Sequence, residues 1–160
     1  NDKLYGQDGN DVMFGDAGDD FLNGGAGADE MRGGSGNDGF YGGGGNDRIF
    51  GDDGNDTIFG DGGNDRIDGG RGNDVLRGGA NSDTFVFQWA SGSDAILDFQ
   101  DGLDRIDFSN LATVTSLADL EITALNATSY AIGYFDGVDD VTLTVVSATP
   151  FMLGADDLIV

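Results

Sequence analysis

Residues 42–68 read GGGGNDRIF, GDDGNDTIF and GDGGNDRID, three consecutive nine-residue units of one pattern. The pattern extends in both directions without an insertion. Units begin at Gly6, Gly15, Gly24, Gly33, Gly42, Gly51, Gly60, Gly69 and Gly78. Each is G-x-x-G-x-D-x-U-x, with U apolar. Position 4 is Gly9, Gly18, Gly27, Gly36, Gly45, Gly54, Gly63 and Gly72, and Asn81 in the last unit. Position 6 is always Asp: Asp11, Asp20, Asp29, Asp38, Asp47, Asp56, Asp65, Asp74 and Asp83. Position 8 is Met13, Leu22, Met31, Phe40, Ile49, Ile58, Ile67, Leu76 and Phe85, and a leading half unit adds Asp2 and Leu4. A fixed period of this length is the mark of a solenoid.

The residue types assign each position a task. Gly at positions 1 and 4 is expected to supply the positive φ of tight turns, and Asn81 is the mildest departure, since Asn visits the left-handed region readily. The three residues left over, as in Arg48-Ile49-Phe50, suit a short strand on which only U points inward. The chain then alternates turn and strand, two units make one coil, and the next coil begins 18 residues on. Stacked at about 4.8 Å, the coils align Asp2, Asp20, Asp38, Asp56 and Asp74 along one edge and Asp11, Asp29, Asp47, Asp65 and Asp83 along the other.

Adjacent carboxylates in such a column repel by roughly 1 to 4 kcal/mol per pair, depending on the local dielectric. A divalent cation between them reverses the sign. Calcium suits the site, a hard ion that takes six to eight oxygens from carboxylates and carbonyls. Magnesium requires a stricter octahedron and keeps its waters. The chain has no His or Cys to hold zinc or copper.

The 160 residues carry 30 Gly, one Pro and a formal charge of -23, which excludes an ordinary helical or α/β domain. Such acidity repels nucleic acid and anionic membrane surfaces. No apolar run reaches the ~20 residues of a membrane span. The absence of Cys means no disulfide framework. With no secretion leader at its start and a first unit cut in half, the chain is expected to be a C-terminal piece of a longer protein. Few inward apolar side chains and many ordered residues predict a disordered metal-free chain that folds on binding metal.

Asp8, Asp16, Asp19, Asp52, Asp53 and Asp61 also lie in the turns, where solvation is their default role. Tyr5, Tyr41 and Phe59 point outward on one sheet, with Tyr41 and Phe59 one coil apart and able to stack; Phe14 and Phe50 point outward on the other. Such ladders are a form of sheet packing, though an upstream domain could dock there. Arg48 and Arg66 are neighbours expected to pair with surface acids. Residues 34–39, GSGNDG, match a dinucleotide fingerprint but lack the helix it needs and sit among carboxylates. Residues 52–56 resemble an EF-hand start without its later Gly and Glu. Without His there is neither a Ser-His-Asp triad nor an H-E-x-x-H zinc site.

From Thr84 the period breaks. Thr84–Phe87, Asp94–Phe99 and Asp104–Phe108 are strand-like, with Trp89 in a loop between. Ser116–Leu120 suits one helical turn. Glu121–Thr123, Ser129–Tyr134 and Val141–Val146 are strand-like, the last two forming a hairpin around Phe135-Asp136-Gly137-Val138. An open solenoid end exposes apolar side chains and strand edges, so residues 87–160 are expected to cap the roll formed by residues 1–86.

The repeats resemble those of RTX proteins, a family of secreted bacterial toxins, proteases, lipases, epimerases and adhesins. Asp83-Thr84-Phe85-Val86-Phe87 followed by Asp94-x-Ile96-x-Asp98-Phe99-x-x-Gly102-x-Asp104-x-Ile106-Asp107 is similar to the segment after the repeats in serralysin-type metalloproteases and related hydrolases. The terminal Asp157-Leu158-Ile159-Val160 resembles a type I secretion signal. The resemblance implies an all-β, right-handed parallel β-roll with a C-terminal β cap and about seven calcium ions. It implies that one turn offers the carbonyls of positions 2 and 4 with its Asp, and the next offers those of positions 1 and 3 with its Asp. For one site these are Gly25, Gly27 and Asp29 with Gly42, Gly44 and Asp47. It further implies a non-enzymatic module that folds after type I export and serves a larger extracellular bacterial protein, such as a serralysin-like metalloprotease or a lipase. A carbohydrate- or surface-binding module, as in epimerases or adhesins, is the alternative. Ice binding would need a flat Thr array that position 3 of the turns lacks.

Overall fold

The computed structural model describes residues 1–88, 91–135 and 140–160. Its strands are β1 Lys3–Asp8, β2 Val12–Ala17, β3 Phe21–Ala26, β4 Glu30–Ser35, β5 Gly39–Gly44, β6 Arg48–Asp53, β7 Thr57–Gly62, β8 Arg66–Asp68, β9 Val75–Arg77, β10 Thr84–Val86, β11 Ala95–Ile96, β12 Arg105–Asp107, β13 Glu121–Asn126, β14 Ser129–Phe135, β15 Asp140–Val146 and β16 Leu158–Ile159. They form two sheets, ordered β1-β3-β5-β7-β9-β11-β15-β14-β13 and β16-β12-β10-β8-β6-β4-β2. The repeats feed the sheets alternately and pair in parallel, so the architecture is an all-β parallel roll. The register is 18 residues throughout the repeats: Leu4 faces Leu22, Leu22 faces Phe40 and Ile49 faces Ile67.

Strands β1–β7 are six residues long rather than three. They run from position 7 through position 3 of the next unit, because the first half of each turn also pairs with its neighbour, as in Gly43 with Asp61. Burial alternates as the pattern requires, with Met13 through Phe85 at position 8 forming one buried column. Leu4, at its open end, is only partly buried. On the outer face Tyr41 and Phe59 stack at 4.9 Å and 7°, and the ring series continues through Phe21 to Tyr5. On the other sheet Arg32 lies 4.1 Å over Phe50 and pairs with Asp52. Arg66 pairs with Asp107.

The post-repeat segment continues both sheets. Of the stretch 94–99 only Ala95–Ile96 pairs, lying between β9 and β15; of 104–108, Arg105–Asp107 pairs with β10. Strands β13, β14 and β15 are an antiparallel extension of the first sheet. The hairpin tip 136–139 and Trp89 lie outside the described residues. The helical turn is a 3₁₀ turn at Leu117–Asp119. Phe87, Phe108 and Tyr134 pack against one another at the end of the apolar column, and Phe99 meets Phe151. Leu158 is buried beside Ile106, so the C-terminal residues form the last strand of the second sheet. No helix among the described residues is long and apolar enough to cross a membrane.

Candidate metal centres in the turn columns

The glycines divide the turn's labour differently from the expectation. Position 4 has positive φ, from 121° at Gly9 to 145° at Gly63, and Asn81 adopts 84°. The second left-handed position is 2, not 1: Gly25 at 100°, Gly43 at 98°, and even Asp16, Asp52 and Asp61 near 70°. Position 1 is glycine for want of space. A Cβ on Gly42 would lie 2.5 Å from its own turn's Asp47 Oδ2 and 2.5 Å from the Gly60 carbonyl of the next coil. On Gly24 the corresponding distances are 2.3 Å to Asp29 Oδ2 and 2.7 Å to the Gly42 oxygen. From Gly6 to Gly60 each position-1 glycine thus keeps open a small cradle between a carboxylate oxygen and a carbonyl.

Other main-chain oxygens face the same interval. The Gly25 carbonyl is 2.1 Å from where a Cβ of Gly43 would sit, and that of Gly27 is 2.1 Å from the Cβ site of Gly45. The Gly44 carbonyl accepts the Gly27 N–H at 2.7 Å. Carbonyls of positions 2 and 4 therefore point forward, and those of positions 1 and 3 of the next coil point back.

The position-6 carboxylates are held by one oxygen only. Each Oδ1 accepts the N–H of the Asp one coil earlier: Asp11 to Asp29, Asp29 to Asp47, Asp47 to Asp65 and Asp65 to Asp83, all at 2.8–2.9 Å, with the same chain linking Asp20, Asp38, Asp56 and Asp74. The Oδ2 atoms of Asp11, Asp20, Asp29, Asp38, Asp47, Asp56, Asp65, Asp74 and Asp83 are buried without a hydrogen-bond partner. Buried polar atoms are almost always satisfied, so nine orphans at one repeat position mark where an ion belongs. Burial first, and like charge along the column second, push Asp56 and Asp65 up to about 7. No three His, Cys, Asp or Glu side chains among the described residues can hold an ion by themselves, so main-chain oxygens are required. The orphaned carboxylates, the glycine cradles and the hard oxygen donor set all fit calcium.

Two features go beyond the repeat formula. The columns do not stop at Asp74 and Asp83: Asp74 N–H donates to Asp94 and Asp83 N–H to Asp104, at 2.8 and 3.0 Å. The signal was present as Asp-x-Ile at 94–96 and 104–106, but the spacings of 20 and 21 residues hide it from a nine-residue register. A second ladder runs along position 5. There, Asn55, Asn64 and Asn73 donate their N–H to the Oδ1 of Asn37, Asn46 and Asn55, at 2.7–2.9 Å. The recurring Asn-Asp dipeptide was its signature. It runs opposite in sense to the Asp ladder and is exposed.

A family model described as the RTX calcium-binding nonapeptide repeat (4 copies) matches residues 1–22, 14–49, 23–58, 41–76 and 50–85. No curated protein matches the chain. Among solved structures, it is similar to the AlgE6R3 subunit of the mannuronan C5-epimerase of Azotobacter vinelandii at TM-score 0.56 and 27% identity, over 84% of this chain and 78% of that one. The AlgE6R2 subunit of the same enzyme gives 0.52 and 25%, over 97% and 90%. The extracellular lipase LipA from Serratia marcescens shares the fold at 0.54 and 19%, over 99% of this chain but 38% of the lipase. With the family model spanning residues 1–85, more than half the chain, and buried aspartates at its repeat positions, this protein belongs to the RTX calcium-binding nonapeptide repeat family.

Proposed function

We propose that this chain is a calcium-dependent folding and export module of a larger extracellular bacterial protein, in which residues 1–86 form the roll and 87–160 its cap. The observation that carries the proposal is the set of nine buried carboxylate oxygens with no partner. Each interval between complete turns takes an ion from the forward carbonyls and Asp of one turn and the backward carbonyls and Asp of the next. Gly25, Gly27 and Asp29 act with Gly42, Gly44 and Asp47. The column through Asp47 has four such intervals and the column through Asp56 three, giving about seven ions. A bound cation supplies the positive charge that lets the carboxylates approach, so binding free energy becomes folding free energy.

The chain therefore stays extended where calcium is scarce, passes a type I channel C-terminus first, and folds outside. Residues 157–160 serve as the export address and, once outside, as the last strand. In the lipase neighbour the shared fold is 38% of a longer chain, the arrangement proposed here. The parent's activity lies in its other part, a hydrolase by the likeness of the post-repeat segment. Titrating calcium into the metal-free chain should convert a coil-like circular dichroism spectrum to β, and magnesium at equal concentration should not. A metal-free chain that is already fully β at neutral pH overturns the proposal.

A further inference from the structure

The exposed ladder at position 5 is continuous along one turn edge and broken along the other. On the first edge the side chains of Asn1, Asp19, Asn37, Asn55 and Asn73 each accept the N–H of the residue one coil on, ending at Ser93. On the second edge Asn10 accepts the Ala28 N–H at 2.9 Å, and Asn46 and Asn64 accept those of Asn64 and Ser82. Ala28 has no side-chain oxygen to offer, so the Asn46 N–H is the one internal rung left without its acceptor among the described residues. An open cleft of about 290 Å³ lies at the gap, walled by Asn10, Ala28 and Asn46 on the turn and by Val12, Glu30 and Arg48 on the sheet. Arg48 is in register between Glu30 and Arg66. Arg66 is drawn away to Asp107, and Arg32 to Asp52. The Arg48 guanidinium is exposed and, among the described residues, makes neither a hydrogen bond nor an ion pair.

We propose that the notch at Ala28 binds a carboxylate from outside the chain, one oxygen accepting the Asn46 N–H in place of the missing rung and the other meeting the Arg48 guanidinium. The opposite edge shows that the ladder takes this group. Asp19 fills the same repeat position there, and its carboxylate accepts the Asn37 N–H at 2.9 Å. The ligand does at Ala28 what Asp19 does from within the chain. Hydrogen bonds to an ionised acceptor are roughly twice as strong as neutral ones, and the planar guanidinium fork matches a carboxylate. The cleft has room for one acid group and a short substituent, which rests against the exposed Val12. The proposal rests on the calcium reading in one respect. Asp11 and Asp29 of the column also line the cleft and repel an anion in the metal-free chain. Cations in the column invert the local charge, so the notch accepts an acid only in the calcium-loaded roll. Glu30, across the cleft, opposes the same anion and limits its affinity.

The probe is acetate, titrated into the calcium-loaded, nitrogen-15-labelled whole chain, with chloride at matched ionic strength as the blank. The readouts are the Asn46 amide and the Arg48 Nε–H resonances. In the wild type both should shift and saturate, while the amide of Asn64, whose rung is intact, stays in place. Arg48→Gln should weaken the response about tenfold, the loss of one charge-assisted bond, and Glu30→Gln should strengthen it. Ala28→Asp fills the notch from within: it should move the Asn46 amide before any acetate is added and abolish the response to acetate. All three positions lie on the surface, so the variants keep the fold. A shift that does not saturate, that chloride reproduces, or that survives in Ala28→Asp overturns the proposal. A chain that is already β without calcium would refute the calcium reading alone, since its Asn46 response to acetate remains measurable.

Discussion

Gly42 and Gly44 lie two residues apart in one turn, and neither has positive φ, so alanine at either strains no backbone. Their surroundings differ sharply. A Cβ on Gly44 meets nothing within 4 Å, whereas on Gly42 it lies 2.5 Å from both Asp47 Oδ2 and the Gly60 carbonyl. To reach an ordinary 3.4 Å contact each oxygen must retreat by about 0.9 Å. Calcium–oxygen distances span only about 2.3–2.6 Å, so both oxygens leave coordinating range. At about 1.5–3 kcal/mol for each interaction with a charged partner, the loss is about 3–6 kcal/mol. On the proposed reading, in which folding takes up about seven ions in one cooperative step, this loss is spread over all of them. At about 1.4 kcal/mol per tenfold, Gly42→Ala should raise the calcium midpoint about two- to fourfold. Gly44→Ala should leave it unchanged or slightly lower, since removing a glycine stabilises by about 0.4–1 kcal/mol through the unfolded chain. The assay is a calcium titration of both variants and the wild type, followed by far-ultraviolet circular dichroism. Equal midpoints for the two variants would refute the cradle.

On the proposed reading Asp47 serves the intervals on both sides, so Asp47→Ala should raise the calcium midpoint and remove at least one ion, while Asp8→Ala, at an exposed turn position, should do neither; comparable shifts in the two variants count against the assigned register. Protons should substitute in part for calcium. Burial raises the folded, metal-free carboxylates of Asp56, Asp65 and Asp104 to about 7 and Asp94 to about 8, from an ordinary 3.8. The metal-free fold therefore binds protons that the unfolded chain lacks between about pH 4 and pH 8, and gains stability as pH falls through that window. Metal-stripped protein should show more β structure at pH 4.5 than at pH 8, and a signal that is constant or falls on acidification would contradict this. Removing residues 84–160 bares Ile67 and Leu76 together with both sheet edges, and should leave repeats that stay unfolded or aggregate with calcium present. Removing only 157–160 should spare calcium-induced folding yet abolish export in a cell with a matching type I transporter; normal export with a shifted midpoint would retire the signal.

The repeat half was legible because every nine residues repeats one local decision. Once the 18-residue coil is accepted, the pairing of Leu22 with Phe40, the buried column from Met13 to Phe85 and the two lines of aspartate all follow. Position 1 was misjudged because a glycine can be required by φ or by space, and sequence does not distinguish them. Position 2 shows the same limit from the other side. Asp16, Asp52 and Asp61 take left-handed φ despite their Cβ atoms, and no glycine marks the spot. The capping half was harder for a physical reason. Its pairings, such as Ala95 with Thr144 and Ile106 with Leu158, join residues about 50 apart, and no period propagates across such gaps. Asp94 and Asp104 rejoin the columns after loops of irregular length, so their role is visible only in space.

The two ladders of the turn edges divide the task of folding between them. The ladder at position 5 is exposed and, apart from Asp19, joins neutral groups, so it needs no ion. The Asp ladder beside it is buried and charged, and satisfies only half of each carboxylate. Hydrogen bonds alone could have completed it had position 6 been Asn as well. Aspartate there leaves one oxygen of each carboxylate unsatisfied, the place the proposed reading gives to a cation, and the surrounding charge makes the deficit general: 30 acids against 7 bases. About seven calcium ions would bring about +14 against a formal charge of -23, enough to relieve the columns while leaving a net negative surface that resists aggregation. On the proposed reading, the composition that destabilises the metal-free chain is the same composition that keeps it unfolded for export and soluble once folded.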